Sequence, residues 1–138
     1  PEMLARGKYL NDHVVGCTEC HTQRDWTKFT APNKPELLGA GGMEFTETGY
    51  RVRSANITPD SSTGIGSWTE QQFIDKFKAF ENTTPATMSE TERRQNTVMP
   101  MMAYAGTSRE DLSAIFATFA PSSPSPIGSK DSRMRSDV

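Results

Sequence analysis

Cys17-Thr18-Glu19-Cys20-His21 decides how this sequence is read. The spacing C-x-x-C-H is the attachment sequence of a c-type haem. Two thiols three positions apart at the end of a helix can both reach the vinyl groups along one edge of a porphyrin. His21, directly after the second thiol, then lies beneath the iron with an imidazole nitrogen to offer. Covalent anchoring also lets a small protein keep the group without a large pocket. Other uses of these residues fit less well. A thioredoxin-like pair sits in a βαβ unit, and none is visible around Cys17. A structural zinc wants four N or S ligands, and the chain offers only Cys17, Cys20, His13 and His21. A Cys17–Cys20 disulfide would close too small a loop to contribute much. One haem c, covalent through Cys17 and Cys20, is therefore the expected cofactor, with His21 as its proximal ligand.

The flanks of the motif carry helical signals of unequal strength. Leu4, Tyr9, Leu10 and Val14 fall in loose helical register over residues 3–15, and Gly7 offers a place where another element can approach closely. Gly16 breaks that helix just before Cys17. Thr69 and Gln72 form a capping box for a second helix, whose Phe73, Ile74, Phe77 and Phe80 share one face and which should end near Glu81. A third begins at Ser108, with Glu110 and Asp111 favourable in its first turn and Leu112, Ile115, Phe116 and Phe119 on one side. Pro121 stops it. A short helix is also expected over 89–95. Residues 22–67, punctuated by glycine and proline, read as a long loop, the kind that wraps something functional.

No strand pattern stands out, so the expected fold class is all-α: three to four short helices and long loops wrapped around one covalently attached haem. The domain should occupy residues 1–121. Ser122-Ser-Pro-Ser-Pro-Ile-Gly-Ser-Lys opens a tail, 122–138, expected to be extended or disordered. Composition agrees with borrowed core material. Only 34% of the 138 residues are hydrophobic, a thin supply for a globular domain, and two cysteines build no disulfide scaffold. A formal charge of -2 gives no electrostatic footprint for nucleic acid. No stretch is long and apolar enough to span a membrane.

The other face of the iron needs a ligand, and seven methionines are present. Their ordinary role is core filler. Met99 is the leading candidate, because Pro100 fixes the backbone behind it in a loop shortly before the last helix. Met101, Met102 and His13 are the alternatives. His13 lies one helical turn before Cys17 and reads better as a surface histidine, able to touch a neighbouring molecule's haem.

Several blocks in order carry a family likeness: Gly7-Lys-Tyr-Leu, Gly16-Cys-Thr-Glu-Cys-His-Thr, Ala55-Asn-Ile-Thr-Pro-Asp, Thr63-Gly-Ile-Gly-Ser-Trp-Thr, and Met99-Pro through Tyr104-Ala-Gly to Asp111-Leu. Over residues 5–120 the chain resembles the bacterial class I cytochromes c. Within them it is similar to the mono- and dihaem cytochromes and the cytochrome c subunits of membrane-bound dehydrogenases. The resemblance implies a cytochrome c-like fold with the first helix packed across the last, Gly7, Tyr9 and Leu10 meeting Leu112, Ile115 and Phe119. It implies thioethers at Cys17 and Cys20, and His21 and Met99 on the iron. It also implies pocket-wall or haem-propionate contacts from Asn56 and Trp68, whose plainer roles would be turn chemistry and core packing. Arg53 is a candidate propionate partner, or else a solvated charge. The polar stretch 81–98, and Met101 and Met102 just after Pro100, depart from the family pattern.

A His/Met-ligated iron has no open position for substrate, so the expected function is one-electron transfer between ferrous and ferric haem, not catalysis. The expected partners are a redox donor and an acceptor protein. Two alternatives remain. One is a haem-bearing subunit of a larger dehydrogenase or haem assembly, in a complex or oligomer. The other is a haem enzyme or gas sensor with an open sixth site. The resemblance implies a periplasmic or exported protein whose signal peptide has been removed.

Overall fold

The computed structural model describes residues 1–94, 97–119 and 136–137. Its helices are α1 (Glu2–Leu10), α2 (Cys17–Cys20), α3 (Glu70–Lys78), α4 (Glu90–Arg94), α5 (Met101–Ala105) and α6 (Arg109–Phe119). Asn11–Val15 extends α1 as a π-turn, and Pro35–Leu37 is a short 3-10 turn. The expected tail falls outside the described residues except for Ser136–Asp137.

The frame is the crossing of α1 over α6. A Cβ placed on Gly7 would lie 1.8 Å from the Ala114 carbonyl oxygen, so only glycine allows this approach. Leu10 then joins Leu112, Ile115, Phe116 and Phe119 in the core. Arg6 closes the crossing from outside with a two-pronged ion pair to Asp111, at 2.9 and 3.1 Å. Tyr9 does not join that packing. It is exposed, as are Leu4 and Val14, because the buried stripe of α1 is the narrow line of Gly7, Leu10 and Asn11.

The second layer is α3. Thr69 Oγ1 accepts the Gln72 N–H, and Gln72 Oε1 accepts the Thr69 N–H, which gives the expected capping box. Phe73, Ile74 and Phe77 are buried against α6, with the Phe73 and Phe116 rings 5.2 Å apart. The helix ends at Lys78, somewhat before Glu81. Ser108 opens α6 as expected, its hydroxyl accepting the Asp111 N–H at 3.1 Å.

The all-α expectation is corrected in the segment read as loop. Strands β1 (Glu44–Glu47) and β2 (Tyr50–Arg53) pair antiparallel, Glu44 opposite Arg53 and Glu47 opposite Tyr50. Gly49, at φ 92°, makes the two-residue turn between them. A third strand, β3 (Ser136–Asp137), pairs antiparallel with β2. The fold is helix-rich with one small sheet. Strands of four residues give too few alternations for a period-2 signal, and only Val52 in this hairpin is buried.

The rest of the long loop is ordered by its own polar groups. Thr22, fully buried, accepts the Gly39 N–H at 3.0 Å. Asn56, 2% exposed, takes the Thr58 N–H on Oδ1 and donates from Nδ2 to Thr63. Asp60 accepts the Thr63 N–H, the Ser62 and Thr63 hydroxyls and the Ser62 N–H, and these bonds hold its carboxyl at about 2. Turns built this way supplement the few apolar side chains the segment buries, Ala31, Ala40, Val52 and Ile65.

Candidate functional site

Gly16 begins the site. Its φ of 65° ends the π-turn, where its own N–H reaches the Asn11 carbonyl at 3.0 Å, and the chain reverses straight into α2. One turn of helix then carries both thiols. Cys17 is half-buried and Cys20 exposed, and neither is in a disulfide. Burial pushes the Cys17 thiol up to about 11, so it is held as a neutral group.

His21 follows with its imidazole buried at 7% exposure. Nδ1 lies 2.7 Å from the Ala55 carbonyl oxygen, which can only accept, so the ring nitrogen carries the proton and donates. Burial lowers the imidazole's affinity for a second proton, while the Ala55 bond works in the opposite sense. The result is a neutral ring in one tautomer, with the Nε2 lone pair available to a metal. Its backbone is fixed as well, since the Gly41 N–H donates to the His21 carbonyl at 2.7 Å. Gly41, at φ 73°, has no room for a side chain: a Cβ there would meet the Ala55 backbone at 2.5 Å.

Cys17, Cys20 and His21 face a cleft that is partly open to solvent. Phe45 and Val52 of the hairpin, and Ser54 just after it, contribute to its lining. Val98, Met99, Pro100 and Tyr104 add a further, distant stretch of the chain. Cys17, Cys20, His21 and Met99 thus line one mostly apolar cleft. The donor set suits covalent haem with two axial ligands. Zinc is served poorly: among the described residues no three His, Cys, Asp or Glu side chains come together to hold a metal ion.

The other expected residues lie elsewhere. Arg53 does not line the cleft, and its Nε donates to Glu44 at 3.2 Å across the hairpin. Asn56 is locked into its turn next to Ala55, and Trp68, 37% exposed, sits before the cap of α3. Neither is part of the cleft lining. Met101 packs on the core, Met102 is partly exposed, and His13 is exposed with its ring 5.7 Å from that of Tyr9. Sequence reading missed the hairpin wall, the Ala55 carbonyl, and the Tyr104 hydroxyl, which donates to the Val15 carbonyl at 3.0 Å. Alternation in Phe45 and Val52 was the only available signal, and it is weak.

No protein-family model matches the chain. Among individual proteins, it is 36% identical over 73 residues to the fructose dehydrogenase cytochrome subunit of Gluconobacter japonicus, covering 53% of this chain and 13% of that one. It is 28% identical over 117 residues to the gluconate 2-dehydrogenase cytochrome c subunit of Pantoea cypripedii, 85% of this chain and 22% of the relative. The cytochrome c subunit of the quinone-type alcohol dehydrogenase of Gluconobacter oxydans (strain 621H) is 29% identical over 120 residues, 85% and 21% of the two chains. This chain therefore spans less than a quarter of the length of each of these relatives. It is related, at modest identity, to the cytochrome c subunits of dehydrogenases.

Proposed function

We propose that this chain is a one-electron carrier that holds a single c-type haem through thioethers at Cys17 and Cys20, with His21 and Met99 as axial ligands. When bound, the haem supplies an iron that accepts and releases one electron between its ferric and ferrous forms. The observation that carries the reading is the convergence of Cys17, Cys20, His21 and Met99 on one apolar cleft.

The protein's own residues set the conditions. Ala55 and Gly41 hold His21 at its ring and at its backbone, so little reorganises when charge changes nearby. Phe45, Val52, Val98 and Pro100 give the cleft apolar walls. A thioether from Met99 favours the reduced state more than a second imidazole would. The exposed Cys20 lies at the edge where a partner could approach.

The relatives are named as subunits, which favours work inside a dehydrogenase assembly over free diffusion. Carrier and subunit are compatible roles, since both pass electrons. Among the described residues no helix is long and apolar enough to cross a membrane. The reading places the protein in the periplasm or outside the cell, where a c-type haem is attached.

Mass spectrometry of the denatured holoprotein tests the attachment. The expected mass is the chain plus one haem, and Cys17→Ala/Cys20→Ala should lose the added mass. Haem that washes out of the wild-type chain under denaturing conditions would overturn the proposal.

A further inference from the structure

Resting on the His21/Met99 reading, we infer that Tyr104 and Lys78 are positioning residues for the distal ligand, acting through α5. Pro100 fixes the step between Met99 and α5. Its φ of -78° and ψ of 67° describe an inverse γ-turn, and the Met101 N–H donates to the Met99 carbonyl at 2.8 Å across it. The proline ring fixes φ, so the step from Met99 into α5 has little freedom. Wherever α5 sits, Met99 follows.

Helix α5 has five residues, too few to be stable by itself. Its position is therefore set by what grips it, and two polar grips come from separate parts of the chain. The Tyr104 hydroxyl donates to the Val15 carbonyl, two residues before Cys17, at 3.0 Å. That bond ties α5 to the turn that presents both thiols. At the other grip, Lys78 Nζ donates to the Ala105 carbonyl at 2.8 Å. Ala105 is fully buried and its carbonyl ends α5, where a cation is favoured. The Lys78 side chain is only 11% exposed and also pairs with Glu81 at 3.1 Å, so its ammonium is held in place. An edge contact between Tyr104 and Phe77, centroids 6.1 Å apart, completes the hold.

The consequence concerns ligand exchange. For an external ligand to take the sixth site, Met99 must swing away, and the competent state is populated only as far as α5 yields. Loosening either grip raises that population without touching a ligand.

Titration of the ferric holoprotein with imidazole tests this, with the weak far-red band of Met–iron ligation as the readout. Tyr104→Phe and Lys78→Met are each expected to tighten imidazole binding about tenfold, the weight of one net hydrogen bond. Lys78→Arg, which keeps the charge and the donors, should return most of the wild-type resistance. Arg6→Ala, which cuts the α1–α6 ion pair outside this set of contacts, should bind imidazole as wild type does. Equal imidazole affinity in Tyr104→Phe, Lys78→Met and Arg6→Ala would overturn the inference while leaving Met99 as ligand. Absence of the far-red band from wild type would instead overturn the His21/Met99 reading, and the inference with it.

Discussion

Replacing Gly7 with alanine adds one methyl group at the point where α1 crosses α6. On helix propensity alone it should stabilise the protein by ~1 kcal/mol, since alanine is the better helix former. The crossing gives the opposite sign. The new Cβ would lie 1.8 Å from the Ala114 oxygen and 2.4 Å from its carbonyl carbon, and ordinary contact begins near 3.4 Å. The obstacle is helix backbone, which cannot swing aside as a side chain can. Relief along that line needs the helices to part by about 1.6 Å, the difference between 3.4 and 1.8 Å.

A gap of ~1 Å already forfeits up to half of a dispersion well, so Leu10 would lose most of its contact with Leu112 and Ile115. That resembles truncating a buried leucine, about 3 kcal/mol. Set against the propensity gain, the net loss is about 2 kcal/mol, or roughly 6–10 °C in Tm for a domain of this size. Thermal unfolding of the holoprotein, followed by far-ultraviolet circular dichroism, measures it. A Gly7→Ala protein as stable as wild type, or more so, would refute the close crossing.

Three further expectations follow from other contacts. Thr22→Val keeps the volume but removes the buried acceptor of the Gly39 N–H, and should cost about 1–3 kcal/mol in denaturant unfolding. Asp60 titrates at about 2 in the folded chain, below its ordinary 3.8, so its stabilisation is complete above pH 4 and fades as pH falls toward 2. Asp60→Asn should therefore flatten the acid limb of the stability curve over that window while leaving the neutral-pH fold intact by circular dichroism. Cys17→Ser/Cys20→Ser protein, made without haem, should lack native helicity, because the chain supplies only part of its own core.

What the sequence made legible was local. C-x-x-C-H, the Thr69/Gln72 box and the Gly16 break each act within a turn of helix, so neighbouring residues are enough to read them. Gly7 was readable as a close approach, although its partner Ala114 was not. The missed features depend on register or distance. Arg53 meets Glu44 only because the hairpin sets them opposite one another. Tyr104 and Val15 are 89 positions apart, and no spacing rule joins them. Ala55 acts through its carbonyl, which every residue possesses, so nothing in its identity marks it.

The central claim is that Met99 completes the coordination of an iron held by His21. The oxidised absorption spectrum of the wild-type holoprotein beside Met99→Ala tests it most directly. The expected result is a weak far-red Met–iron band in wild type that vanishes in Met99→Ala while the haem stays covalently bound. A band that persists in Met99→Ala, or one missing from wild type, would contradict it.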